Sequence, residues 1–231
     1  MMIELQIVSK RYGAKRALDG VSLTLPKGRI IGLVGENGSG KTTLLKIVAG
    51  LLTPTTGLAV FDNNKITRRV ASSVAYMPDG DLFFPEFNVK QLFDFYNSQF
   101  RDFNRKKAEE IAEFLSIPLD AKISTLSKGN RGRVKIAATL GRNASYYLLD
   151  EPFSGLDPMV REDIARGLIR FTDTEWQTVL LSTHEIKEVE PLLDEMIVMK
   201  EGQLLAHKEI DEIREIYGMD ATTWLISLFR Q

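Results

Sequence analysis

The stretch GENGSGKT, Gly35 to Thr42, decides how this chain is read. It satisfies the spacing G-x-x-x-x-G-K-[ST] and stands between an apolar run, Arg29 to Val34, that reads as a buried strand, and a segment with helical spacing. Its glycines let the backbone curl until successive N–H groups point inward, and the N-terminus of the following helix adds partial positive charge, so the loop suits phosphate. Candidate nucleotide contacts are Gly35, Asn37, Gly38, Ser39, Gly40, Lys41, Thr42 and Thr43. Lys41 would reach the β- and γ-phosphates of ATP, and the Thr42 hydroxyl would ligate Mg²⁺.

Outward from the loop, Ile3 to Ser9 and Val21 to Leu25 read as short strands of an antiparallel N-terminal part, joined through a turn-forming Tyr12-Gly13. From Val89 to about Asn143 the apolar residues follow helical spacing, with Phe93, Phe95 and Tyr96, then Ile111, Phe114 and Leu115. Beyond them come a strand at Tyr146 to Asp150, a helix after Pro158, and strands at Thr178 to Ser182 and Met196 to Lys200. This alternation predicts an α/β fold: a P-loop core with a mostly parallel sheet, an N-terminal antiparallel β part and an inserted helical lobe. The expected division is a single domain, 1–231, with an ATP-binding core at 1–85 and 144–231 and the helical lobe at 86–143. Near the chain's end, TTWLISLF from Thr222 to Phe229 predicts a short helix whose apolar face packs on the core.

A second stretch, YYLLDE from Tyr146 to Glu151, delivers two adjacent carboxylates to the C-terminal end of a buried strand, the side on which α/β sheets bind ligands. Adjacent strand residues point in different directions, so the two acids can have different tasks. Asp150 would hold hydrated Mg²⁺, and Glu151 would polarise a water for attack on the γ-phosphate.

Composition narrows the classes. The 231 residues are 44% hydrophobic and 26% charged, as in ordinary globular proteins. A net charge of -1 with no extended basic block gives no footprint for a nucleic-acid backbone, so no nucleic-acid partner is expected. With no cysteine, disulfides and thiolate metal sites are excluded, and two histidines make a poor zinc set. No run of about 18 apolar residues occurs, and the first residues lack an apolar signal core, so the expectation is a soluble chain whose membrane role requires a partner.

Taken together, the motifs resemble the nucleotide-binding subunits of ATP-binding-cassette (ABC) transporters over almost the whole chain. Between the loop and the carboxylate pair stands LSKGN, Leu126 to Asn130, similar to the ABC signature; after the pair stands SGLD, Ser154 to Asp157, similar to the D-loop; and LLSTH ends in His184, where the family carries its switch histidine. Order and spacing carry the match. The resemblance implies ATP hydrolysis with Mg²⁺ by a dimer, homodimeric or heterodimeric, working with separate transmembrane permease subunits on the cytoplasmic face of the membrane.

It also implies roles. Ser127 and Gly129 would contact, in trans, the γ-phosphate held by the opposite subunit, although a Ser ahead of a helix also serves as an N-cap. Asp157 would align the two sites, or cap the helix before Pro158. His184 would bond the γ-phosphate and orient Glu151 and water, whereas His207, in the charged turn-like LLAHKE, reads as a surface residue. Tyr12 resembles the aromatic that stacks on adenine, with a turn tyrosine as the alternative.

Departures from the family pattern are Lys128 and Asn130 in the signature, where glycine and glutamine are usual, and Asp79 in YMPDGD, where the Q-loop glutamine is usual. Asp79 either partners Mg²⁺ or swings away, leaving Asp81 as the next candidate. LFFPEF, Leu82 to Phe87, either meets a membrane subunit or packs on the helical lobe. The variants in LSKGN and YMPD tilt the reading towards export rather than import. Two further readings are a soluble ABC ATPase acting on ribosomes or DNA and a P-loop switch without turnover.

Overall fold

The computed structural model describes residues 2–80 and 84–229. The chain opens with two long antiparallel strands, β1 (Ile3–Tyr12) and β2 (Lys15–Leu25), joined by a turn at Gly13, whose φ is 57°. A register shift between Leu5 and Val8 puts Ile7 at a φ of 49° with its side chain outward, so Leu5 and Val8 both face the core. Next come β3 (Ile30–Val34), helix α1 (Lys41–Val48), β4 (Thr56–Phe61), the two-residue β5 (Asn64–Lys65) and β6 (Val74–Met77).

Three helices follow: α2 (Val89–Gln99), α3 (Arg105–Phe114) and α4 (Lys128–Leu140). Asn88 starts α2 with a reciprocal pair, its side chain accepting from Gln91 N while the Gln91 side chain accepts from Asn88 N. The remaining elements are β7 (Tyr146–Leu149), α5 (Pro158–Phe171), β8 (Thr178–Thr183), β9 (Glu195–Lys200), β10 (Gln203–Glu209), α6 (Ile210–Tyr217) and α7 (Ala221–Phe229).

One sheet is antiparallel, in the order β2-β1-β4-β5. The other, in the order β10-β9-β3-β8-β7-β6, is parallel throughout except for the β9-β10 hairpin. Every residue of β3, β7 and β8 is buried, as expected of central parallel strands covered on both faces. Tyr146 and Tyr147 are both fully buried and remain satisfied because their hydroxyls donate to the carbonyls of Leu25 and Arg142.

The expected α/β architecture, its antiparallel start and the helical run before β7 are all present. Sequence reasoning missed β4, β5, β6, β10 and α6. His207 is not in a turn: it lies within β10, opposite Ile197 of β9, with Nε2 2.7 Å from Oε2 of the buried Glu195. Hairpin pairing overrode the polar look of LLAHKE. The C-terminal helix α7 forms as expected, burying Ala221, Trp224 and Leu225, and its first N–H donates to Glu190 Oε1.

Of LFFPEF, Leu82 and Phe83 lie outside the described residues, as does Asp81. Phe84 stacks 4.8 Å from Phe87 and 5.2 Å from Phe95 of α2, so this end of the segment packs on the helices while Phe84 stays partly exposed.

Candidate functional site

The phosphate loop runs from the end of β3 into α1, and its glycines are required by conformation and by space. Gly38 and Gly40 have φ of 87° and 109°. A Cβ on Gly40 would stand 2.5 Å from the Ala17 carbonyl oxygen. The buried Lys41 ammonium donates to the carbonyls of Gly35 (2.7 Å) and Glu36 (3.2 Å) and stands 3.3 Å from Glu151 Oε1. That last contact is an ion pair without hydrogen-bond alignment, since Oε1 is buried and accepts no hydrogen bond.

The two carboxylates after β7 part company as their positions require. Asp150 is 1% exposed; its Oδ1 accepts from Thr42 Oγ1 (3.0 Å) and Ser182 Oγ (2.8 Å), and its Oδ2 accepts from the Tyr76 hydroxyl (3.2 Å). Burial, and then the Asp150 charge, push the Tyr76 phenol well above its ordinary value, so it remains a donor. Glu151 has a φ of 49°, unusual for a residue with a side chain, and its N–H donates to Ser182 Oγ at 2.9 Å. This kink turns its carboxylate away from Asp150, with Oε2 2.9 Å from His184 Nδ1 and Oε1 beside Lys41.

Lys41, Thr42 and Glu151 line a cleft of 360 Å³ together with Asn37, Gly38, Gly40 and Thr43 of the loop and with Tyr12, Lys15, Ala17 and Asp79; Asp150 is bonded to Thr42 but is not in the lining. Tyr12 is half exposed, with the Lys10 ammonium 5.5 Å from its ring. Asp79 therefore sits at the cleft, and its carbonyl accepts from Lys135 Nζ at 2.6 Å. Gly35 and Ser39 are buried behind the loop rather than lining it, and His184 reaches the site only through Glu151.

Ser127, Gly129 and Asp157 are not in the cleft lining. Ser127 caps α4 by accepting from Asn130 N, and Asp157 caps α5 by accepting from Val160 N at 3.0 Å. The two caps are neighbours: a Cβ on Gly129 would stand 3.8 Å from Asp157 Oδ2. The Lys128 ammonium lies against Gly155, joining the two loops.

Sequence reasoning missed Ser182 and Tyr76. The ladder places Leu149 opposite Leu181, so the next residues on β7 and β8, Asp150 and Ser182, become adjacent. Tyr76 lies opposite Leu148 on β6, two residues short of Asp150.

The oxygens around Asp150 and Thr42 suit Mg²⁺. Among the described residues no three His, Cys, Asp or Glu side chains gather to cage a metal. One carboxylate and one hydroxyl 3.0 Å apart beside a phosphate loop match the way Mg²⁺ is held with substrate phosphates and water.

Comparison with known proteins points to one family. The family model described as "ABC transporter" matches residues 18–154. The chain is 29% identical to the ABC transporter ATP-binding protein YtrB of Bacillus subtilis, over 94% of this chain and 75% of that protein. It is 33% identical to the Nod factor export ATP-binding protein I of Rhizobium meliloti, over 94% of this chain and 69% of that protein. A bacterial ABC transporter cassette solved as a dimer superposes with a TM-score of 0.80 at 25% identity, covering 90% of this chain and 98% of that one.

Proposed function

The chain belongs to the ABC transporter ATP-binding family, and from that membership we propose that it hydrolyses Mg²⁺-ATP in a dimer of cassettes and powers export through separate membrane-spanning subunits. The observation that carries this reading is the meeting of Lys41, Glu151 and His184 at a phosphate-binding loop. Export is favoured by the relative named for Nod factor export. Among the described residues no helix is long and apolar enough to cross a membrane, so the proposal places the chain on the inner face of the membrane through its permease partner.

In this reading the phosphates of ATP seat on the loop N–H groups and the start of α1, while Lys41 adds a charge-assisted bond to the terminal phosphates. Tyr12, on the cleft wall, offers its ring to the base. Thr42 and Asp150 would hold Mg²⁺, with Asp79 as a further oxygen donor, and the ion supplies positive charge against the phosphate oxygens. Glu151 accepts a proton from the attacking water. His184 holds the Glu151 carboxylate through Nδ1, while its Nε2 lies 3.5 Å from Glu185 Oε1, a carboxylate that the γ-phosphate would have to displace to take a bond from this ring.

Residues 86–143 would act as a signature-bearing lobe on a core formed by 1–85 and 144–231. Ser127 and Gly129, which do not line this chain's own cleft, would complete the partner's site, with Asp157 beside them. The test is phosphate release from Mg²⁺-ATP by the purified chain, alone and with the membrane subunits that co-purify from gently solubilised membranes. The expected result is turnover stimulated by those subunits; absence of turnover in both conditions contradicts the reading.

A further inference from the structure

Asp150 is an unusual buried acid. It is 1% exposed, no ion pair among the described residues involves it, and its charge rests on three hydroxyls, from Thr42, Ser182 and Tyr76. Two of these donors share Oδ1, so Tyr76 is the side-chain donor that anchors Oδ2. Both oxygens move together about the Cβ–Cγ bond, so the two donors on Oδ1 and the one on Oδ2 hold the carboxylate plane jointly, and losing the Oδ2 donor loosens it.

The reach depends on register. Tyr76 on β6 lies opposite Leu148 on β7, so Asp150 is its diagonal neighbour two residues on, a separation that an aromatic side chain spans. β6 is the edge strand of its sheet, and Tyr76 also lines a 190 Å³ cavity there with Leu51, Tyr96 and Phe100. A smaller hydroxyl-bearing residue on β6 would fall short of the acid.

We infer that Tyr76 is a positioning residue for the proposed reaction: its hydroxyl fixes the Asp150 carboxylate so that the free lone pairs of Oδ2 are presented to the Mg²⁺ of the nucleotide. The inference rests on the cleft being the Mg²⁺-nucleotide site. It goes beyond that reading by assigning metal affinity to a residue given no part in nucleotide binding. Ser182 shares the task but also holds the Glu151 N–H, so Tyr76 gives the cleaner test.

The experiment is calorimetric titration of ADP into wild type and Tyr76→Phe across a series of Mg²⁺ concentrations. The phenyl ring keeps the packing and removes only the hydroxyl. The Mg²⁺ concentration at half-maximal ADP affinity should rise about three- to tenfold, the scale of one ordinary intramolecular hydrogen bond, and the deficit should close at high Mg²⁺. Leu51→Ala, which alters the same cavity without touching Asp150, should titrate as wild type.

A Tyr76→Phe titration that superimposes on wild type overturns the inference and leaves the cleft assignment standing. An equal shift in Leu51→Ala also overturns it, because packing would then be the cause. If wild-type ADP binding is absent or indifferent to Mg²⁺, the cleft reading itself fails and the inference falls with it.

Discussion

Lys41 donates to two loop carbonyls and stands as an ion pair beside the Glu151 carboxylate, so its charge is held at the loop proposed to take the terminal phosphates of ATP. Lys41→Ala should remove most ATP affinity, as read by calorimetry; unchanged binding would defeat the assignment. Asp79 lines the same cleft, is a methylene shorter than glutamine and carries a charge but no N–H. Asp79→Asn should weaken the apparent Mg²⁺ affinity of the ATPase, and Asp79→Gln should keep much of the activity. Wild-type Mg²⁺ titrations in both variants would show that Asp79 has no metal role. Lys41, Asp150, Glu151 and His184 were legible because each sits in a short string whose chemistry is local. Ser182 and Tyr76 were not, since their approach to Asp150 is made by pairing of β6, β7 and β8, and no spacing along the chain records it.

The elements that hold the cleft depend on one buried cation. Arg142, 4% exposed just after α4, forms three hydrogen bonds to Asp102, donates to the Val74 carbonyl on β6 and stacks 4.0 Å over Phe100. It therefore ties the helical segment to the edge of the sheet. Arg142→Ala leaves the Asp102 carboxylate without its partner, and losing one member of a buried pair costs about 3–5 kcal/mol. The melting temperature should fall by roughly 6 °C or more. A change of about a degree in thermal unfolding would contradict this role. Helices α2 and α3 were readable from their apolar spacing, and β3, β7 and β8 from unbroken apolar runs; α6 was not read. The misread element, β10, is half-exposed and charged; its strand character comes from pairing with β9, and its His207 is drawn in by the buried Glu195.

At the scale of the whole molecule, the phosphate loop and the signature helix start belong to one chain yet do not share a cleft. In the proposed dimer a second subunit would resolve this by offering its Ser127 and Gly129 to the first subunit's ATP. Slowing hydrolysis should then hold two chains together. By light scattering, Glu151→Gln with Mg²⁺-ATP should have twice the mass it has without nucleotide, and Ser127→Arg added to it should restore the monomer. The central claim, that this cleft hydrolyses ATP with Glu151 as the base, is tested most directly by single-turnover phosphate release from Mg²⁺-ATP in wild type and Glu151→Gln. The account predicts that the variant binds ATP as wild type does but releases phosphate at least about tenfold more slowly, the low end for a positioned base. Release at the wild-type rate would contradict it.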